Sequence, residues 1–300
     1  MKDAPAMHSF RHIGLLSFLF MLSVAGWLGA GSPAMAQGGF GDITVTPTRI
    51  VLEGRERSGT ISLANTGAEK ATYRISVVNM RMTENGAFVE IPEGQAGPGE
   101  QFAGDLFRYA PRQVTLEPGT SQTIRIALRK PAGLAAGEYR SHLLIRAIPS
   151  EGAGRSIEQK PDNGVEISLA VIPGIALPVI VRHGEVTASV TMSNFALDRT
   201  PASKNGKIPS LTFRLNRDGN ESVYGDLAAT YFAPGNDKGV LLSEVNQLAV
   251  YTPNSYRIVT MSLNQNQEVK LESGGKIKVI YRTQPKEGAK PIGAGEFVIP

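Results

Sequence analysis

Few side chains in this 300-residue sequence are of the kinds that do covalent chemistry, and none of them is spaced for it. Ser141 and His142 are a nucleophile and a base side by side, but they sit in a stretch that alternates like a strand. Neighbours on a strand face opposite ways, so this pair cannot hand over a proton. Cysteine is absent, which removes thiolate chemistry and disulfides alike. Of the four histidines, His8 and His12 lie in the leading segment, and the remaining two do not make a zinc site. Asn220-Glu221-Ser222 is spelled like a sugar acceptor, a pattern short enough to arise by chance. No catalytic residue, cofactor or metal is predicted, and the chain is not expected to be an enzyme. The net charge of +4 comes without a basic run interleaved with aromatics, so nucleic acid is not an expected partner either.

What the spacing does offer is a binding pattern. Val165, Ile167, Leu169 and Val171 alternate with Glu166, Ser168 and Ala170. One face of such a strand is large and apolar, the other small or polar. By itself this describes any half-buried sandwich strand. It follows a long polar stretch, Ser150 to Gly164, that is too long for a tight hairpin and reads as a loop.

The elements that would position these residues are strands throughout. Hydrophobic residues make up 41% of the chain, and 33 Gly and 19 Pro fall between short apolar runs, the texture of an all-β protein. Ile43, Val45, Ile50 and Leu52 frame a first strand broken at Pro47. Thr60 to Leu63, Thr72 to Val78, Phe107 to Leu116, the run through Ile124, Ile126 and Leu128, Tyr139 to Ile148, and a last strand from about Val165 complete seven. Seven short strands suit an immunoglobulin-like β-sandwich. In the second half, Val186 to Met192, Leu211 to Leu215, Asp226 to Tyr231, Val240 to Leu242, Tyr256 to Leu263, Ile277 to Tyr281 and Glu296 to Ile299 predict a second, smaller sandwich. The expected organisation is residues 1–36 as a signal peptide, 37–182 as the first domain and 183–300 as the second. Lys2 and Arg11 precede a mostly apolar stretch from Ile13 to Ala30, and Ala34-Met35-Ala36 has the small-x-small form of a cleavage site. The run Val171 to Val181 is too short and too broken by Pro173, Gly174 and Pro178 to cross a bilayer.

Several segments together carry a resemblance: Thr48-Arg49-Ile50-Val51-Leu52, Phe107-Arg108-Tyr109-Ala110-Pro111, Leu116-Glu117-Pro118-Gly119, Gln122-Thr123-Ile124-Arg125-Ile126, and Gly137 to Pro149. The chain resembles the PapD-like periplasmic chaperones that assemble bacterial pili, most clearly from Ile43 to Arg182. The resemblance implies a protein that binds pilin-like subunits by donor-strand complementation and delivers them to an outer-membrane usher, in the periplasm and without a cofactor. It implies that Val165, Ile167, Leu169 and Val171 fill the subunit's groove, a mode of strand addition that joins main-chain hydrogen bonds to alternate side-chain pockets. It also implies that Arg49 binds the subunit's terminal carboxylate, a task suited to a planar guanidinium. Self-association through the exposed strand is a further expectation. One departure stands out: the family's second basic residue, a Lys on the last strand of the first domain, falls on Pro178 when counted back from Arg182. The alternative reading of the sequence is a secreted immunoglobulin-like structural or adhesive protein. Against it, Gln37 to Asp42 is Gly-rich and too short for a fibre subunit's extension.

Overall fold

Alternation of apolar and polar residues at period two governs nearly every segment of this chain, and the result is strand after strand. The computed structural model describes residues 43–148, 174–199, 209–263 and 269–300. In its first half these form β1 (Ile43–Thr46), β2 (Ile50–Leu52), β3 (Ser58–Asn65), β4 (Ala71–Val78), β5 (Met80–Met82), β6 (Phe88–Glu90), β7 (Phe107–Ala110), β8 (Gln113–Leu116), β9 (Ser121–Leu128), β10 (Gly137–Ile148) and β11 (Gly174–His183). One sheet runs β1-β3-β9-β7 and the facing sheet β2-β11-β10-β4-β8. Their inner faces meet in a core that includes Ile61, Leu63, Tyr73, Ile124, Leu143, Ile145, Leu177 and Val179, all at most 3% exposed. With no disulfide available, burial of these side chains is the main stabilising term, at about 1.5–3 kcal/mol for each large one.

Several details differ from the expected strand list, beginning with the first strand, whose two parts β1 and β2 lie in opposite sheets. The segment Phe107 to Leu116 is two strands, β7 in one sheet and β8 in the other. A chain that passes from sheet to sheet in this way ties the layers of a sandwich together. The hairpin of β5 and β6 was not expected at all, and it belongs to neither large sheet. At the Asn65-Thr66-Gly67 turn, the buried Asn65 side chain donates to the carbonyls of Glu69 at 2.7 Å and Leu116 at 3.1 Å, while its oxygen accepts from the Gly67 amide.

The second half holds β12 (Ala188–Asp198), β13 (Ser210–Gly219), β14 (Val223–Phe232), β15 (Val240–Val250), β16 (Tyr256–Ser262), β17 (Lys276–Arg282) and β18 (Pro291–Val298). Sheets β12-β13-β16 and β15-β14-β17-β18 enclose a second core around Leu211, Phe213, Leu227, Met261, Val279 and Tyr281. The buried Tyr281 hydroxyl donates to the Leu248 carbonyl at 2.7 Å, so its polar end is satisfied inside that core. β12 packs closely over β18 because β18 is built of small residues. A Cβ on Gly295 would stand 2.6 Å from Cζ of Phe195. All described residues belong to one compact unit, Gly38–Pro300.

Candidate functional site

Of the sequence's candidate site residues, Arg49 is the one among the described residues, and it lies beside the β2-β11-β10 layer. β11 pairs with β10 antiparallel, placing Pro178 opposite His142, and with β2 parallel, placing Val179 opposite Ile50. One residue before that last pair, Arg49 comes level with Pro178. Leu177, Val179 and Val181 turn inward to the first core. Alternation therefore sends Pro178 and Ile180 outward, together with Arg140 and His142 from β10. Ile180 is sealed there against Met82, Ala249 and Tyr251, which joins this face to the second sandwich.

Arg49 does not project freely into solvent. It is half-buried, its Cζ lies 4.3 Å from the centre of the Tyr224 ring, and its Nε has no hydrogen-bond partner. A cation held over an aromatic face loses much of its freedom. Burial raises the Tyr224 hydroxyl above its usual range, with the Arg49 charge opposing. The ring is therefore neutral throughout the physiological range.

Below this row, the two sandwiches are joined by charge. Arg182, at the end of β11, places Nε 3.1 Å from Glu138 Oε2 and Nη1 2.9 Å from Glu53 and 2.8 Å from Glu221. Its Nη2 donates to the Ser222 carbonyl at 3.3 Å, and its own carbonyl accepts from Lys130 Nζ at 2.7 Å. The Glu138 side chain is wholly buried. It accepts from the Ser222 amide, the Ser222 hydroxyl and the Thr252 hydroxyl as well as from Arg182. Burial works against the Arg182 charge, but the carboxylates around it more than offset this and raise it. Burial also raises the Glu221 carboxyl, against the pull of Arg182. From the sequence alone, Arg182 has no role beyond ending a strand. Its partners on the second sandwich are about forty positions away, too far for any local pattern to show. Ser222, spelled as part of a sugar-acceptor pattern, is 3% exposed and committed to Glu138.

The β5–β6 hairpin bridges the two sandwiches above the same face. Met80 and Met82 offer their carbonyls to Arg140 Nη2 and Asn254 Nδ2, and the Glu84 carbonyl accepts from the Ile258 amide at 2.7 Å. Arg140 also donates to the Thr252 carbonyl at 3.0 Å and lies 4.5 Å over the Tyr251 ring. Between hairpin, β10, β11 and the second sandwich lies a cavity of about 260 Å³, lined by Met80, Met82, Phe88, His142, Tyr251 and Arg257 among others. His142 is 2% exposed, and neither ring nitrogen has a partner. Burial, with the Arg140 charge adding to it, lowers its pKa to about 3. Ser141, on the other face of β10, accepts from the Ala103 amide at 3.0 Å and donates to Asn79 Oδ1 at 2.7 Å. The two side chains lie on opposite faces of β10, as the strand geometry requires.

Val165, Ile167, Leu169 and Val171 lie outside the described residues, as does the stretch Ser150 to Gly164. The described strand that follows them is β11. There, β2 covers only Val179 to Val181, so Gly174 to Pro178 have β10 on one side and no strand of the described residues on the other.

Two immunoglobulin-like sandwiches joined by a buried ionic junction define an all-β, two-domain class of protein. Residues 42–182 match the family described as "Pili and flagellar-assembly chaperone, PapD N-terminal domain". By that match, residues 42–182 are a PapD-like N-terminal chaperone domain. No curated protein matches it. Among solved structures it is similar to the YadV chaperone, at 12% identity over 86% of this chain and 100% of that one, with a TM-score of 0.43. It is likewise similar to the CupB2 chaperone of Pseudomonas aeruginosa, at 11% identity over 86% and 100%, TM-score 0.41. A third similar structure is the CsuC–CsuE chaperone–tip adhesion subunit pre-assembly complex of Acinetobacter baumannii, at 12% over 86% and 98%, TM-score 0.39.

Proposed function

We propose that this protein is a periplasmic chaperone that holds pilus or surface-fibre subunits by lending them a strand and delivers them to an outer-membrane usher. The edge of β11 from Gly174 to Pro178, left without a partner strand among the described residues, is the observation that carries the reading. An open edge presents unpaired N–H and C=O groups, which a guest strand can take up. The inward parity of Leu177, Val179 and Val181 supports the next step. If the same parity runs back through Val171, Leu169, Ile167 and Val165, these four would complete an incomplete sandwich in the guest. Each side chain so buried would contribute about 1.5–3 kcal/mol. Arg49, whose guanidinium is held over the Tyr224 ring beside this edge, is suited in kind to the guest's terminal carboxylate. The basic start and apolar run of the leading segment are in keeping with export.

Co-expression with subunit-like proteins encoded beside it tests the reading. A one-to-one complex should form, and a peptide matching the amino-terminal extension of another subunit should displace the chaperone. Subunits that stay soluble alone, with no complex at any ratio, would overturn it.

A further inference from the structure

We infer that a bulge in β15, locked by the Asp226 carboxylate, is the element that seats the β5–β6 hairpin on the second sandwich. This seat belongs to the fold itself and is the same whatever guest the protein takes.

The bulge is one extra residue. Gly225 of β14 pairs with Leu248 and Leu227 with Val245, so Asn246 and Gln247 together face the single residue Asp226. An insertion of this kind leaves a backbone amide without a ladder partner and turns every later side chain to the opposite face. Val245 packs against the second core, and strict alternation from it would send Ala249 and Tyr251 inward as well. With the extra residue, Leu248 and Val250 take the core positions. Ala249 and Tyr251 instead meet Ile180 and Met82 of the first half.

Three side chains hold this irregular backbone. Gln247 has a φ of 59°, a left-handed conformation uncommon for a residue other than Gly. Its amide donates to Asp226 Oδ1 at 2.8 Å, so the carboxylate stands in for the missing strand partner. The next two carbonyls are also taken by side chains. That of Leu248 accepts from the Tyr281 hydroxyl at 2.7 Å, and that of Ala249 accepts from Arg257 Nη1 at 3.0 Å. Gly225 makes room for the tyrosine: a Cβ there would stand 3.1 Å from Cε2 of Tyr281.

Arg257 carries the effect to the hairpin. Its guanidinium lies against Gly86 in the hairpin turn, too close to admit a Cβ at that position. The next residue, Ile258, donates its amide to the Glu84 carbonyl of the same turn at 2.7 Å. A line of contacts therefore runs from Asp226 through Gln247, Leu248 and Ala249 to Arg257, and from there to the turn at Glu84 and Gly86. Asp226 is a positioning residue that acts on the hairpin through Arg257.

NMR of the purified protein tests this. In the wild type the Gln247 amide should exchange slowly with solvent, although its residue is exposed on an edge strand, because the carboxylate holds it. Asp226→Ala should move the Ile258 amide proton signal upfield, as a lengthened hydrogen bond does, and leave that of Val279 on β17 in place. Cleavage after Glu84 by a glutamate-specific protease, well below the unfolding temperature, should quicken by about tenfold or more, the factor one hydrogen bond to a charged group supplies. Asp226→Asn, which keeps an acceptor oxygen, should restore most of the wild-type behaviour. Fast exchange of Gln247 in the wild type would overturn the inference even if Asp226→Ala did not fold. An unmoved Ile258 signal or unchanged cleavage in folded Asp226→Ala, or an Asn variant as disturbed as the Ala variant, would overturn it too.

Discussion

Arg182 on the first sandwich lies 2.8 Å from Glu221 on the second, with the buried Glu138 on its other side. Removing the cation would leave Glu138 uncompensated. Breaking a buried pair by deleting one partner costs roughly 3–5 kcal/mol. Arg182→Ala should therefore lower unfolding stability by about 3 kcal/mol in urea titrations, while Glu221→Gln, at the partly exposed end of the network, should cost about 1 kcal/mol or less. Equal effects would mean that Glu138 draws its compensation from Ser222 and Thr252 alone.

Arg49 rests on the Tyr224 ring, a contact worth about 0.5–1 kcal/mol at a partly exposed site. Arg49→Ala should lower the melting temperature by only a few degrees yet sharply reduce recovery of subunit complexes. Arg49→Lys should fail to restore capture, because an ammonium cannot grip a carboxylate through two parallel bonds. A large stability loss with unchanged capture would make Arg49 a structural residue.

Ile167→Glu or Leu169→Glu would set a charge in the guest's apolar groove. Each variant should remain folded by circular dichroism and lose subunit co-purification. Normal recovery from either one would reject the donor-strand assignment.

His142 gives stability a pH dependence of known sign. Its folded pKa, about 3, lies below the ordinary 6.5. The unfolded chain therefore binds the extra proton between these values. The contribution is complete above about 6.5 and is lost as pH falls towards 3, at up to about 1.4 kcal/mol per pH unit. The Glu100 carboxyl, held low by Arg81, adds a further loss below its usual range. Urea midpoints at pH 7, 6, 5 and 4 should show this slope, and His142→Phe should flatten it between 6.5 and 4.5. An unchanged slope in the variant would assign it to other groups.

The strands were legible where their alternation serves a single core. Ile124 and Ile126, or Leu211 and Phe213, turn inward at every second position and announce themselves. The hairpin of β5 and β6 does not. Phe88 and Val89 are 40% and 55% exposed, and the hairpin is fixed by carbonyls that any sequence would carry. Arg49 could be singled out by family resemblance, but not its seat on Tyr224, which lies 175 positions away. His142 looked like one more strand residue because its isolation depends on the lid above it. Pro178 was the one anomaly that could be read in advance. Its neighbours on the folded face could not.

The hairpin's three backbone carbonyls reach Arg140 on the first sandwich and Asn254 and Ile258 on the second. Swinging one half against the other would have to break the two bonds to Asn254 and Ile258 together with the ionic junction beneath them. The elbow is thus a brace rather than a hinge. A ligand that lands across it meets a fixed template and bears no entropy cost for setting the angle.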